Sequence, residues 1–292
     1  MTYATASDGI RIHYQQTGRS GGPPVVLVQG LGADKHGWDL QRLALAPGHR
    51  TIALDNRGAG RSDKPHGRYS LEQMADDVIA VLDHARVDTA HLVGASMGGA
   101  ISQIVALRYP ERIRSMTLAC TACRHHPWRR ELIAEWAQVA RSSGMGAVTR
   151  QAGRWMIGPR SFRRLWPAVG VLGPLALALP AHAFIAQCEA ILDMDDRQAE
   201  ELYAVTVPTL VMVGNQDILT PRGDSEELAD RIPTAELVVM SGAAHGFMIE
   251  HASTFNRVLL EFLGCAERIH QARHGVVTDL PTAGRGSVAA AG

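Results

Sequence analysis

Three side chains far apart in the chain have the types and surroundings that nucleophilic chemistry requires. Ser96 stands at the tip of Gly94-Ala95-Ser96-Met97-Gly98-Gly99, a G-x-S-x-G turn in which every close neighbour but Met97 is small. Such a turn lifts a hydroxyl out of a strand end and starts a helix beneath it, so that the Met97 N–H faces any oxyanion formed above the serine. A serine hydroxyl needs a base to take its proton and a carboxylate to orient that base. His245 lies in Gly242-Ala243-Ala244-His245-Gly246, a small-residue loop with Phe247 and Met248 beside it to exclude water. It is the one of thirteen histidines that follows a strand in a loop of this kind. Asp217 lies four residues past the apolar run that ends at Val213. Asp224 is the other acid within reach of that strand end, but Pro221 followed by Gly223-Asp224 reads as a helix start. A second oxyanion donor beside Met97 N–H is expected from Gln29-Gly30-Leu31-Gly32, as Leu31 N–H.

The elements that must position these groups are legible in the hydrophobic pattern. Residues 2–7 and 10–17 read as a hairpin turning at Asp8-Gly9. Val25–Val28, Thr51–Leu54, Leu92–Val93, Ile113–Ala119, Thr209–Val213 and Ala235–Met240 read as buried strands. Helices are expected over Leu71–Ala85, behind a capping box of Ser70 and Gln73, from the elbow to about Tyr109, near Ser225–Arg231 and over Ala252–Phe262. Strands alternating with helices imply an α/β fold with a doubly wound, mostly parallel sheet, its function at the carboxyl ends of the strands. Between 121 and 205 the strand rhythm stops and four of the five tryptophans occur (Trp128, Trp136, Trp155, Trp166). That segment reads as an inserted helical cap. The expected organisation is therefore a core of 1–120 and 206–264, a cap of 121–205, and a loosely ordered tail of 265–292.

The 292 residues suffice for a substantial core, and 29 basic residues balance 29 acidic ones, so no global field draws the chain to nucleic acid. The N-terminal residues have no signal-peptide pattern, which with four unpaired-looking cysteines points to a cytoplasmic setting. Cys120-x-x-Cys123 closes a strand and has no ligand partners in sequence, so both read as packing residues. Residues 165–188 carry no Asp, Glu, Lys or Arg, but Pro167, Pro174 and Pro180 interrupt them too often for a membrane span. Exposed, the same segment would suit a homodimer contact. Residues 122–182 hold nine arginines against two glutamates, which reads as a solvated helix face or an entrance favouring anionic substrates.

The elbow, Asp55-Asn56-Arg57-Gly58-Ala59-Gly60-Arg61-Ser62-Asp63, Val213-Gly214-Asn215-Gln216-Asp217 with Pro221, and Gly242-Ala243-Ala244-His245 together resemble the α/β-hydrolase superfamily over residues 10–263. The spacing is most similar to its small, cofactor-free esterase and lactonase branch, enol-lactone hydrolases included. One departure is Gln29, where that family commonly has a histidine. The resemblance implies the α/β-hydrolase fold, no cofactor or metal, and a small, partly apolar ester or lactone as substrate. It also implies an acyl-enzyme on Ser96, with His245 as base, Asp217 as its orienting acid, and the Leu31 and Met97 amides as the oxyanion hole. Gln29, Gly30, Trp128, Trp136, Phe184, Leu219 and Phe247 are the expected pocket residues. Carbon–carbon bond hydrolysis of a diketone and cofactor-free perhydrolysis (haloperoxidase-like) are the alternative chemistries, and a ligand receptor on the same fold is the non-enzymatic one.

Overall fold

The computed structural model describes residues 2–158 and 179–275. Eight strands form one sheet: β1 (Thr2–Thr5), β2 (Arg11–Gly18), β3 (Pro24–Val28), β4 (Arg50–Leu54), β5 (Ala90–Ala95), β6 (Ile113–Ala119), β7 (Thr209–Gly214) and β8 (Ala235–Met240). Their order is β1-β2-β4-β3-β5-β6-β7-β8. The first hairpin, turning through Gly9 at φ 85°, pairs antiparallel, and every pair from β4 to β8 is parallel. This is the mostly parallel α/β architecture that the strand text implies.

Strand periodicity divides the core in two. Val26, Val28, Ile52, Leu54 and Leu92 face one side of the sheet and pack with helices α2 (Leu71–His84) and α3 (Met97–Arg108). Their neighbours Val25, Leu27, Ala53 and Val93 face the other, against Trp38, Leu45, Phe255, Leu259 and Leu263. Adjacent residues of one strand thus serve opposite layers, and both layers must be apolar. The Ser70–Gln73 capping box forms, each side chain accepting the other residue's backbone N–H at 3.1 Å. Helix α1 (Asp39–Leu45), which no capping or periodic signal announces, covers the second layer.

Between β6 and β7 the described residues contain no strand. Helices α4 (Pro127–Ser143), α5 (Met145–Met156) and α6 (Ala181–Leu192) occupy that stretch, and α4 packs on α6. Trp166 and most of the uncharged run fall outside the described residues. No helix among the described residues is long and apolar enough to cross a membrane.

After α7 (Arg222–Arg231), the final helix α8 spans Ala252–Arg273, beyond its expected end at Phe262 and into the stretch read as tail. The apolar stripe Phe255, Leu259, Leu263, Ala266 continues through Gly264 at helical spacing, so burial of that stripe overrides one glycine's low helix propensity. The extension also delivers Glu267 to the amino end of β5. There His91 donates Nε2–H to Glu267 Oε2 at 3.0 Å and accepts at Nδ1 from the Ser115 hydroxyl, while Arg114 donates to the same carboxylate. His91 is thus a satisfied structural residue.

Burial works against the Glu267 charge, but the hydrogen bonds from His91 and Arg114 and the Arg114 charge outweigh it and pull the carboxyl from 4.5 down to about 2. Because the folded carboxyl titrates below the unfolded one, this stabilisation is complete above about pH 4.5 and is lost as pH falls through about 2. Glu267→Gln is expected to lower stability at pH 7 by about 1–2 kcal/mol. Thermal melts of the two proteins as a function of pH should converge on acidification across that window.

Candidate active site

Parallel strands bring their carboxyl ends to one edge, and there the separated motifs meet. Ser96 follows β5, Gln29–Gly32 follows β3, Cys120–Ala122 follows β6, Asp217 follows β7 and His245 follows β8. Ser96 adopts φ 54°, ψ −120°, outside the regions comfortable for a residue with a Cβ. Its backbone is held from three directions: the N–H donates to Ala119 O at 2.9 Å, and the carbonyl accepts from Gly99 N–H and from the Thr121 hydroxyl at 2.7 Å. The turn also needs bare backbone at Gly98, where a Cβ would stand 2.2 Å from Val28 O.

Asp217 and His245 are buried and closely engaged. His245 Nδ1 lies 2.8 Å from Asp217 Oδ2. A carboxylate can only accept, so Nδ1 carries a proton, and in the neutral ring the lone pair is therefore on Nε2. Asp217 Oδ1 accepts the Leu219 and Thr220 N–H groups, both at 2.9 Å, and Oδ2 accepts the Thr220 hydroxyl at 2.8 Å. Burial alone would push the Asp217 carboxyl up, but His245 and the Thr220 donors more than offset this, leaving it below the usual carboxylate range. Thr220 Oγ also faces His245 Nδ1 at 3.2 Å, so one hydroxyl touches both partners. Sequence reasoning missed Thr220, although its place three residues after an acid in a turn is an Asx-type signal.

The loop after β3 is locked from several sides. Gln29 folds its Oε1 back onto Gly30 N–H at 2.9 Å, Asn56 donates to Gln29 O at 2.8 Å, and Gln187 of α6 accepts Gly32 N–H at 2.9 Å. The glutamine in place of histidine therefore orders this loop and consumes the Gly30 donor. Leu31 follows, and Gly30 lies so near Ser96 that a Cβ on it would sit 3.1 Å from the serine Cβ. Met97 N–H is the first amide of α3, for which the helix itself offers no acceptor.

A mostly apolar cavity of about 670 Å³ opens over Ser96 and His245. Of the expected pocket residues, Gln29, Gly30, Trp136, Phe184 and Leu219 line it, together with Leu31 and Met97. Trp128 and Phe247 do not. Trp128 is 39% exposed, stacked on Trp155 with Arg129 over its ring, and Phe247 points into the layer beneath the sheet against Phe255. Position in the chain near His245 could not tell which face of the following turn Phe247 would take. Helices α4 and α5 contribute Ile133, Thr149 and Met156 to the wall.

The arginine excess does not arm the described cavity. Arg124 pairs with Glu227, Arg141 with Glu189, and Arg154 lies over Trp155. Arg129 does reach the cavity but is bound to Asp224, whose carboxylate is thereby engaged by a guanidinium. Arg160, Arg163 and Arg164 lie outside the described residues. The loop carrying His245 is tied to the end of α5: Glu250 accepts from Gly158 N–H at 2.9 Å and Ala244 N–H at 3.2 Å, and Gly246 N–H donates to Met156 O. Cys120 and Cys123 are buried free thiols. Among the described residues no cluster of three or more His, Cys, Asp or Glu has the arrangement to hold a metal.

Residues 23–145 match the family model of the alpha/beta hydrolase fold, and residues 181–271 match that of TAP-like proteins. A putative carbamate hydrolase, RutD, of Azorhizobium caulinodans is 33% identical over 271 residues, 90% of this chain and 98% of its own. The 3-oxoadipate enol-lactonase 2 of Acinetobacter baylyi is 29% identical, over 87% of this chain and 93% of its own. The crystal structure of the enol-lactonase from Burkholderia xenovorans superposes with a TM-score of 0.84 at 30% identity, covering 90% of this chain and all of that one. Identity of 33% along nearly the whole of a relative, on a shared fold, places this chain in the α/β-hydrolase family, as a hydrolase of that type.

Proposed function

We propose that the protein hydrolyses a carboxylic ester or lactone through an acyl-enzyme on Ser96. The observation that carries this reading is the strained Ser96 facing the same cavity as a histidine whose Nδ1 is fixed by a buried carboxylate. Ser96 Oγ attacks the acyl carbon as His245 Nε2 takes its proton, and Asp217 stabilises the imidazolium. Leu31 and Met97 N–H groups receive the oxyanion, Gly30 N–H being already engaged by Gln29. His245 then protonates the leaving alkoxide, and water activated by the same imidazole releases the acid.

The lining of the cavity supports one kind of acyl group. Its wall is chiefly apolar, and the one arginine that reaches it among the described residues is committed to Asp224, so a neutral, partly apolar acyl chain fits better than a carboxylate-bearing one. Enol-lactonase relatives support the lactone side of this reading, and the helices between β6 and β7 act as the cap that encloses the substrate.

Turnover of neutral esters and lactones is expected to exceed that of carboxylate-bearing analogues, with acid and alcohol as products. Ser96→Ala should lower kcat by at least about a thousandfold while leaving the thermal midpoint nearly unchanged. Hydrolysis of the same panel at an undiminished rate by that variant contradicts the reading. Thr220→Val should lower kcat about three- to tenfold with a smaller change in KM, because the lost hydroxyl donates to Asp217 and faces His245 Nδ1 while the methyl-bearing side chain keeps its place in the cavity lining. Steady-state kinetics on one ester decide it, and a change confined to KM would remove Thr220 from the acid's support.

A further inference from the structure

Arg129, in the first turn of α4, is 1% exposed. A cation buried to that degree persists only with its donors fully engaged. Its Nε donates to Leu219 O at 2.8 Å, one terminal nitrogen donates to Asp224 Oδ2, and the other donates to Arg124 O at 3.2 Å and lies 3.4 Å from His125 Nδ1. Burial, with the Arg129 and Arg130 charges, pushes His125 down to about 3, so its ring stays a neutral acceptor for the guanidinium. Two of these partners lie past β7: Leu219 in the segment between β7 and α7 that also carries Asp217, and Asp224 in the first turn of α7.

The peptide joining Leu219 to Thr220 is the link. Its carbonyl accepts from Arg129, and its N–H donates to Asp217 Oδ1 at 2.9 Å. A guanidinium on a peptide oxygen draws electron density from the nitrogen and strengthens the N–H as a donor. The same contact fixes the plane of that peptide, and so the direction in which its N–H approaches the carboxylate. Asp224 closes the ring from the start of α7.

We infer that Arg129 is a positioning residue for Asp217, acting through the Leu219–Thr220 peptide to hold the carboxylate against His245 Nδ1. The inference rests on the Ser96–His245–Asp217 reading above and adds to it a dependence of the acid on the helical insert. A tether that merely pins α4 to the sheet would use the same ion pair, and a mutant cycle separates the two roles. Lysine at 129 keeps a cation opposite Asp224 but lacks the planar fork that serves Leu219 O at the same time.

The experiment measures kcat and KM on one hydrolysed ester for wild type, Arg129→Lys, Asp217→Asn and the double variant. Arg129→Lys should lower kcat about tenfold with KM within about twofold, and in the Asp217→Asn background it should change kcat by less than about twofold, because the acid it serves is gone. An equal loss in both backgrounds, or an effect on KM alone, overturns the inference and leaves the triad reading standing. Wild-type kcat in Asp217→Asn itself overturns that reading instead. If Arg129→Lys does not fold, Arg129→Met combined with Asp224→Leu removes both buried charges together, and the same cycle is run with that pair.

Discussion

Asp217 keeps a negative charge in a site where burial alone would drive its carboxyl toward the neutral form. What holds the charge is local and specific: two backbone amides, the Thr220 hydroxyl and the His245 ring N–H. Those amides are available only because the chain turns tightly after β7, and the histidine arrives only because β8 lies parallel beside β7. Much of the architecture can be understood as the means of bringing five strand ends to one buried carboxylate and the serine near it.

Strain at Ser96 belongs to the same economy of close packing. Its unfavourable backbone is fixed by Ala119 O, Gly99 N–H and the Thr121 hydroxyl, and the bare backbone of Gly98 lets α3 come up under β3. The result is a helix start directed at the cavity, buried along nearly its whole length. The loop after β3 is fixed with equal care, by its own Gln29 side chain, by Asn56 and by Gln187 of the helical insert. The insert therefore touches the candidate site twice: Gln187 on the loop after β3 and Arg129 on the loop after β7.

The strands and their order of motifs were readable because a strand buried on both faces, such as Val25–Val28, leaves a continuous apolar run that ends where its loop begins. Helix α8 is expected to end at Phe262 because the residues past Gly264 are polar, rich in Ala and Gly and without periodicity, whereas the stripe through Leu263 and Ala266 is what packing enforces. Trp128 and Phe247 show another limit: residue type places an aromatic ring near a site, but only the path of the backbone decides whether it faces cavity, core or solvent. Gln187 and Arg129 were illegible for a different reason. Polar partners separated by 90 or 155 residues, as in Arg129 with Leu219 and Gln187 with Gly32, follow no periodicity and meet only through the fold.

On the proposed mechanism Ser96 is a nucleophile activated by His245. Covalent labelling by a fluorophosphonate, with the modified peptide identified by mass, tests it without knowledge of the substrate. The account predicts modification at Ser96 in the wild type, and a labelling rate at least about a hundredfold lower in His245→Asn with the fold retained. Labelling at another residue, or labelling of Ser96 at the same rate in the histidine variant, would contradict it.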